Sequence, residues 1–397
     1  MGFLLRKFIN TFKKGDKVLL LLCLISTAYG CLAVASATNY MGATRYLVIQ
    51  IAAALIGVLC YVSISALDAE FFSEHRRGMV VFNTLLLSLL LVFGTDNGTG
   101  NKSWLDIPLL PFNIQPAEFC KITCILITAS VMASHQTEVS SGKTLGLLIL
   151  HFFLVGGLNY VLSRDMGVTL IFVFIMAGMA LAGGIRLFWF VFGAGLIALV
   201  APLAWNHILD DYQKLRIQIL FDPALDAAGI GPRYHTMQSL HSLTGGGMSG
   251  QGLFEGHRTQ TGGLLFAQHT DYIFSAIGEE LGFLGCFAVV LLLTLIIARC
   301  IWVGTRSTDY LRRMICFGAA SALIFQVISN VGMCLGITPV IGLTLPFFSY
   351  GGSSLMSIYA MLGLVSGVYA RPNAVSHELY IRPPYPSIRG HHKRGLI

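Results

Sequence analysis

The chain has 397 residues, of which 55% are hydrophobic and 11% are charged, whereas a soluble domain typically has about 25% charged residues. So little polar sequence cannot cover a core of this size in water, and the composition therefore excludes an ordinary soluble fold. The net charge of +7 does not indicate nucleic-acid binding, because the basic residues crowd the termini and the short hydrophilic turns, as membrane topology signals do.

Apolar stretches of about 20 residues, the length that crosses a bilayer as a helix, recur along the chain. The first stretch lacks an obvious signal-peptide cleavage site and is long enough to span. The nine cysteines lie mostly inside these stretches, which does not suggest a disulfide framework. We predict an all-α polytopic membrane protein with about ten transmembrane helices, at 18–37, 46–66, 78–94, 115–134, 144–163, 166–183, 186–205, 272–303, 311–337 and 346–370.

The lysines and arginines of the short loops predict the orientation, because cytoplasmic loops are enriched in these residues. This bias places the basic N-terminus, the turns around Arg76 and Arg312, and the C-terminal tail on the cytoplasmic side. An even number of spans agrees with two cytoplasmic termini. The proline-containing segment 371–397 is predicted to be a disordered basic cytoplasmic tail.

Two loops on the extracytoplasmic side are candidates for function. Residues 95–114 form a polar, glycine-rich loop, and a large loop of about 206–270 joins the seventh and eighth spans. Loops of that length usually carry function. Residues 245–250 match the dinucleotide-binding pattern GxGxxG, but the pattern requires a βαβ unit, so we reject that function. We interpret this segment as a mobile cover over the site.

Ionisable residues at the ends of apolar spans indicate function, because charge in or near a bilayer is costly. Asp271 opens the eighth span, and Glu279 and Glu280 follow two turns later. Asp165 opens the sixth span. With the predicted orientation, both aspartates lie at the extracytoplasmic rim.

Several polar residues also have a purely structural interpretation. Glu118 and Lys121 stand at i and i+3 in the fourth span and can form an ion pair with no further role. Asp165 and Thr270 can cap helices, and Trp104 can anchor the chain at the membrane interface. On the residues alone, these alternatives stay open.

Short motifs in the order and spacing of a known family run through most of the chain. They are Lys102-Ser103-Trp104-Leu105, Gln115 to Lys121, Asp165-Met166-Gly167, Asp211-Tyr212-Gln213, Arg216, Asp222-Pro223, Gln238-Ser239, Gly250-Gln251-Gly252, His269 to Phe274, Glu279 to Phe283, Asn330 to Met333 and Pro346 to Ser354. With these motifs the chain resembles, over about residues 17–370, the SEDS family (shape, elongation, division and sporulation), which includes the RodA and FtsW proteins.

The resemblance implies a peptidoglycan glycosyltransferase that polymerises lipid II at the outer face of the bacterial cytoplasmic membrane, in a membrane domain of residues 1–370. It places the catalytic aspartate at Asp271. It also implies a class B penicillin-binding protein as transpeptidase partner, together with the elongation or division machinery and membrane lipids. The residues expected to bind substrate are Lys102, Trp104, Gln115, Glu118, Lys121, Asp165, Arg216, Gln238, Ser239 and Thr270.

The sequence departs from the family pattern at three places. Ser103 stands where the family often has arginine before the tryptophan. Phe266 and Ala267 replace a Pro-Glu pair that often precedes the catalytic aspartate, so any role of that glutamate is in doubt here. Ser163 and Arg164 replace Gln-Pro before Asp165.

The chemistry of lipid II polymerisation fits these residues. A sugar hydroxyl needs a positioned base, and a carboxylate at a low-dielectric rim, such as Asp271, can have the raised pKa that this role requires. The diphosphate leaving group needs fixed positive charge, for which Lys102, Lys121, Arg164 and Arg216 are candidates. One base suffices for a single displacement with inversion. A divalent cation, Mg²⁺ or Mn²⁺, could assist there, although no metal-ligand spacing indicates one.

Two other functions remain as alternatives. A multi-span protein with Glu and Lys inside the bilayer could move a lipid-linked precursor across the membrane. Against such a flippase, the distinctive residues gather at one face and not at the midplane. A scaffold for division or elongation proteins would not need the Asp271 carboxylate. The sequence Lys-Ser-Trp at 102–104 leans toward the RodA group.

Overall fold

The computed structural model describes residues 13–95, 102–106, 113–207, 209–226, 229, 231, 233–262, 264–265 and 267–372. Most of the predicted disordered tail, from residue 373, lies outside the described residues. The helices are α1 (Lys17–Asn39), α2 (Thr44–Ser65), α3 (Ala69–Glu74), α4 (Arg76–Phe93), α5 (Pro116–Ser134), α6 (Gly142–Phe152), α7 (Leu158–Ser163), α8 (Met166–Ala182), α9 (Leu187–His207), α10 (Asp211–Phe221), α11 (Arg233–Gly246), α12 (His257–Thr261), α13 (Ile273–Arg306), α14 (Tyr310–Cys334) and α15 (Gly352–Ala370).

The predicted all-α polytopic fold is confirmed. Within the described ranges, nine helices are long and apolar enough to cross a membrane, counting α6 and α7 as one helix joined by a π turn, Phe153–Gly157. A shorter apolar helix, α8, follows α7 in the chain. The sheet is minimal: β1 (Gly94–Thr95) pairs antiparallel with β2 (Trp104–Leu105).

The polar residues that precede several helices explain where those helices begin. Asp16 accepts a hydrogen bond from the backbone N–H of Leu19 at the start of α1 (3.0 Å). Asp309 and Asp165 cap α14 and α8 in the same way. Pro116 occupies the first turn of α5, where its missing N–H costs nothing. These caps satisfy backbone donors that water cannot reach in a bilayer.

The helix α15 forms the centre of the membrane domain and is buried along nearly its whole length. It packs closely on α2. At Gly363, a Cβ atom would lie 2.6 Å from the backbone oxygen of Tyr61, so glycine permits this approach. In contrast, α9 buries none of its apolar window and therefore offers its surface to lipid. The core is thus asymmetric, with α15 inside and α9 outside.

Ion pairs hold the helices together at the end of the domain where α1 begins and α13 ends. Arg299 binds Asp16 with two hydrogen bonds of 2.8 and 3.1 Å. Arg312, which is only 1% exposed, pairs with Glu70 at 2.8 Å. Because each charge has its partner, these buried residues have a structural role.

The eighth predicted span is longer than a bilayer requires and is broken near its beginning. The helix α13 has 34 residues, but Gly282 has φ 66° and ψ −162°, a conformation that other residues rarely adopt. The segment 283–306 alone spans about 36 Å at 1.5 Å per residue, which is enough to cross the membrane. The first turns of α13 therefore belong to the extracytoplasmic part of the protein in the predicted orientation.

The glycine-rich segment 245–250 packs against this break. The backbone oxygen of Gly247 accepts a hydrogen bond from Phe283 N (2.8 Å), and Gln251 N donates to Glu279 O (3.0 Å). These bonds replace helix hydrogen bonds that the break removes. The interpretation of this segment as a mobile cover is therefore wrong, because its backbone is tied to α13.

Glu279 and Glu280 fasten the large loop to the membrane helices. The carboxylate of Glu279 accepts from the backbone N–H groups of Arg258 (2.7 Å) and Thr259 (3.2 Å), at the start of α12. Glu280 accepts from the hydroxyl of Ser36 on α1 at 2.5 Å. Both glutamates are buried, so these bonds position the loop that precedes Asp271.

Candidate functional site

The site lies where α5, α8, α13 and α15 begin and α14 ends. Asp271 directly precedes α13, and its backbone oxygen accepts a hydrogen bond from Asn330 Nδ2 at 2.8 Å. The same amide group donates to the backbone oxygen of Leu343 at 2.6 Å. Ser349 Oγ donates to the backbone oxygen of Thr270 at 2.5 Å. Together, these bonds fix Asp271 against the non-helical segment between α14 and α15.

Asn330 and Ser349 were not among the predicted site residues. Both lie in motifs that carry the family resemblance, and the amide of Asn330 is fully buried within a membrane helix. Because polar groups inside membrane helices often mark function, the sequence offered a reason to predict Asn330 as a site residue. Its contacts show that it positions the backbone on either side of the site.

The carboxylate of Asp271 has an environment suited to a base. It is partly exposed, and within the described residues no group donates a hydrogen bond to it. The pKa of Asp271 is raised to about 6, mainly by burial and also by repulsion from Asp165, while the positive charge of Arg216 lowers it. A carboxylate with this pKa is mostly ionised at neutral pH, yet more basic than an ordinary aspartate.

Asp165 is held by residues from two other predicted motifs. Its Oδ2 atom accepts from Ser103 Oγ (3.3 Å) and from Gln115 Nε2 (3.4 Å), while Oδ1 caps α8 at Val168 N (3.1 Å). Burial raises the pKa of Asp165, and the hydrogen bonds from Val168 N and Ser103 Oγ counteract the rise. The departure from the family pattern at Ser103 therefore places a hydroxyl group beside Asp165, where it acts as a donor.

Glu118 and Lys121 form the predicted ion pair on α5, with 2.8 Å between Lys121 Nζ and Glu118 Oε2. Both side chains are buried, and Ser357 Oγ donates to the same carboxylate oxygen at 2.6 Å. The structural interpretation is confirmed in this respect. A direct contact between Lys121 and substrate stays a prediction, since it would require the ammonium group to leave a buried ion pair.

The other predicted cations differ in their surroundings. Arg216 donates to the backbone oxygen of Val340 at 2.8 Å and lies over the ring of Tyr212, 4.5 Å from its centre. Lys102 and Arg164 are exposed. Of the four candidates, Arg216 is the one whose charge acts on the Asp271 carboxylate.

Trp104 and Thr270 flank the site in different ways. Trp104 is half-buried on β2, where its backbone oxygen accepts from the Thr95 hydroxyl at 3.2 Å. The interpretation of Thr270 as a helix cap is wrong, because α13 begins at Ile273 without a side-chain cap. The Thr270 hydroxyl instead donates to the backbone oxygen of Ala267 at 3.2 Å.

Gln238 and Ser239 lie on α11 and bind other protein groups. Gln238 accepts a hydrogen bond from Arg258. The hydroxyl of Ser239 is fully buried and bonds to Ser275 Oγ (2.5 Å) and to the backbone oxygen of Cys334 (2.7 Å). Ser239 therefore braces α11 against α13 and α14, and a substrate contact would require it to leave this position.

A divalent cation is a predicted ligand of this site. Within the part of the chain that the structure describes, no group of three or more His, Cys, Asp or Glu side chains could hold a metal ion. Asp271 and Asp165 interact electrostatically, but Asp165 already accepts three hydrogen bonds. Binding of Mg²⁺ or Mn²⁺, which take ligands from substrate phosphates and water as well as from carboxylates, stays a prediction.

Two proteins named as peptidoglycan glycosyltransferases are similar in sequence to this chain over most of its length. The peptidoglycan glycosyltransferase MrdB of Escherichia coli is 29% identical over 92% of this chain and 96% of its own length. The probable peptidoglycan glycosyltransferase FtsW of Thiomicrospira cyclica is 33% identical over 88% of this chain and 90% of its own.

Two solved structures share the fold. One, described as "Structural coordination of polymerization and crosslinking by a peptidoglycan synthase complex", contains a chain with 29% identity and a TM-score of 0.75, over 90% of this chain and 98% of that one. The rod shape determining protein RodA of Thermus thermophilus has 26% identity and a TM-score of 0.65, over 90% of this chain and 97% of its own.

The family model described as "Cell cycle protein", for the FtsW, RodA and SpoVE proteins, matches residues 16–373. These residues include all the motifs that resemble the family, and the prediction of the family is confirmed. The chain is a multi-pass membrane protein that belongs to the FtsW/RodA/SpoVE family.

Proposed function

We propose that this chain is a peptidoglycan glycosyltransferase that polymerises lipid II at the outer face of the bacterial cytoplasmic membrane. The relatives that match nearly the full chain are named for this activity. The observation that carries the proposal is the Asp271 carboxylate, which is partly exposed, accepts no hydrogen bond from the described residues and has its pKa raised to about 6.

In the proposed reaction, Asp271 removes the proton from a sugar hydroxyl of one substrate. The resulting oxygen forms a bond to the anomeric carbon of a second lipid-linked sugar, while the bond between that carbon and the diphosphate oxygen breaks. The electron pair leaves with undecaprenyl diphosphate, and the anomeric centre is inverted. Asp271 carries the proton until it is released to solvent.

The groups around Asp271 have separate roles in this reaction. Asp165 keeps the carboxylate basic by repulsion, and Arg216 supplies positive charge for the phosphate oxygens of the leaving group. Asn330 positions the backbone of Asp271. The buried pair of Glu118 and Lys121 supports the beginning of α5, from which Gln115 reaches Asp165.

The proposal extends to the partner and the orientation. A class B penicillin-binding protein would supply the transpeptidase, and this agrees with the similar chain found in a complex that couples polymerisation to crosslinking. Both termini would face the cytoplasm, as the loop charges predict. The end with Asp271 would then face outward, opposite the end with the Asp16–Arg299 pair.

Purified protein with fluorescent lipid II tests the proposed function. We expect glycan polymer, resolved on a gel and sensitive to muramidase, without any added polymerase. The same protein in vesicles loaded with lipid II reports flipping. Flipping without polymer would contradict the proposal and favour a transporter.

A further inference from the structure

A cavity of about 190 Å³ lies on the side of Arg216, between α10, α11 and the segment that follows α14. Two guanidinium groups, of Arg216 and Arg233, line it, and among the described residues that line it none carries a carboxylate. Thr236 and Thr338 add hydroxyl groups. Such a lining has the composition of an anion site and not of a cation site.

The two guanidinium groups are held by the protein but retain donors. Arg216 donates to Val340 O (2.8 Å), and Arg233 donates to Pro223 O (3.2 Å). Each guanidinium has five N–H donors, so most of them are available to a ligand. The carboxylate of Asp226 is occupied by backbone N–H groups at the start of α11, including Arg233 N (3.1 Å). The attraction for an anion therefore rests on the two side chains and not on the helix end.

The volume of the cavity and the apolar residues at its rim indicate which kind of anion it could bind. Pockets for drug-sized ligands have about 300–1,000 Å³, so the smaller volume of this cavity favours a pair of phosphoryl groups over a disaccharide. The rest of the lining is largely apolar, with Ile219, Leu220 and Leu335 among its residues. Leu335 is 42% exposed and the neighbouring Ile337 is 71% exposed, at the end of the membrane helix α14. An apolar rim at the membrane boundary suits a lipid chain attached to the anion.

We propose that this cavity binds the diphosphate group of a polyprenyl diphosphate, with Arg216 and Arg233 on the phosphate oxygens and the first isoprene units against Leu335. This inference rests on the proposed function and deepens it, because such a diphosphate is the leaving group of the reaction. Arg216 connects the two places: it lines the cavity, and its charge acts on Asp271. Arg233 is thereby a further binding residue for the same substrate.

Direct binding tests the inference without any need for turnover. Full-length protein in nanodiscs is titrated with radiolabelled undecaprenyl diphosphate, and inorganic diphosphate and phosphatidylglycerol are used as competitors. The variants are Arg233→Gln, which keeps a donor but removes the charge, and Arg233→Lys, which keeps the charge. Lys214→Gln is the matched control, since Lys214 is a cation on the same helix as Arg216 but does not line the cavity.

We expect Arg233→Gln to weaken binding by roughly 10-fold or more, as for the loss of one charge-assisted contact. Arg233→Lys should bind better than Arg233→Gln, and Lys214→Gln should match the wild type. Inorganic diphosphate should compete weakly and phosphatidylglycerol hardly at all. Wild-type affinity in a folded Arg233→Gln variant, or equal competition by phosphatidylglycerol, would overturn the inference. A wild-type protein that binds the lipid but makes no polymer would instead refute the proposed function alone.

Discussion

Replacing Asp165 by asparagine should allow the enzyme to keep its polymerisation activity at lower pH. In the asparagine variant, Oδ1 can still cap α8 at Val168 N. Nδ2 takes the place of Oδ2, where it can donate to Ser103 Oγ and, once the Gln115 amide turns over, to the side-chain oxygen of Gln115. The main change is therefore the loss of a negative charge that raises the pKa of Asp271. Because Asp271 must be ionised to act as a base, a lower pKa keeps it active further into the acidic range.

The size of the shift follows from the interaction that is lost. A like-charge interaction in a partly solvated site amounts to on the order of 1 kcal/mol, and one pH unit corresponds to about 1.4 kcal/mol. In the wild type, we expect the acidic limb of the pH profile of kcat/KM for lipid II polymerisation to have its midpoint near pH 6. In Asp165→Asn, this midpoint should move to lower pH by somewhat less than about one pH unit.

Two further variants sharpen this measurement. Arg216→Gln removes the charge that lowers the pKa of Asp271, so its acidic limb should move to higher pH. Lys214→Gln lies on the same helix, where it pairs with Asp211, and should leave the limb in place. Identical pH profiles for Asp165→Asn, Arg216→Gln and the wild type would refute the assignment of the acidic limb to Asp271.

Two predictions concern stability, and thermal unfolding in detergent measures both. Gly282→Ala should cost at least about 2 kcal/mol, from backbone strain and from the clash of its Cβ with Met248. Gly184→Ala, which also has positive φ but open space around it, should cost less, and equal costs would contradict the packing of the glycine-rich segment. Lys121→Met should cost about 3–5 kcal/mol by leaving the Glu118 charge buried alone. Adding Glu118→Gln to it should recover much of that loss, and a fully additive double variant would count against the pair.

Most of the membrane architecture could be predicted from hydrophobic length alone. The first span, predicted at 18–37, is α1 (Lys17–Asn39), and the last, predicted at 346–370, begins later, at Gly352. The predicted span starts six residues too early because the segment before Gly352 is apolar but not helical. Hydropathy does not distinguish an apolar helix from an apolar segment of irregular structure. The break at Gly282 was missed for a related reason, since the glycine conformation depends on the loop that packs against it.

The site was predicted in part. Asp271, Asp165, Gln115 and Arg216 were named from motifs, and the structure brings them together. Which residues contact substrate and which brace the fold could not be read from motifs, as Ser239 illustrates, because both kinds of residue can carry the family pattern. That distinction depends on burial and on contacts between distant parts of the chain.

The most direct test of the central claim is polymerisation by Asp271→Asn. The purified variant, assayed with fluorescent lipid II beside the wild type, should unfold at a similar temperature. It should still bind lipid II but form no glycan polymer, because the amide cannot accept the hydroxyl proton. Polymer formed at the wild-type rate by this variant would contradict the assignment of Asp271 as the base.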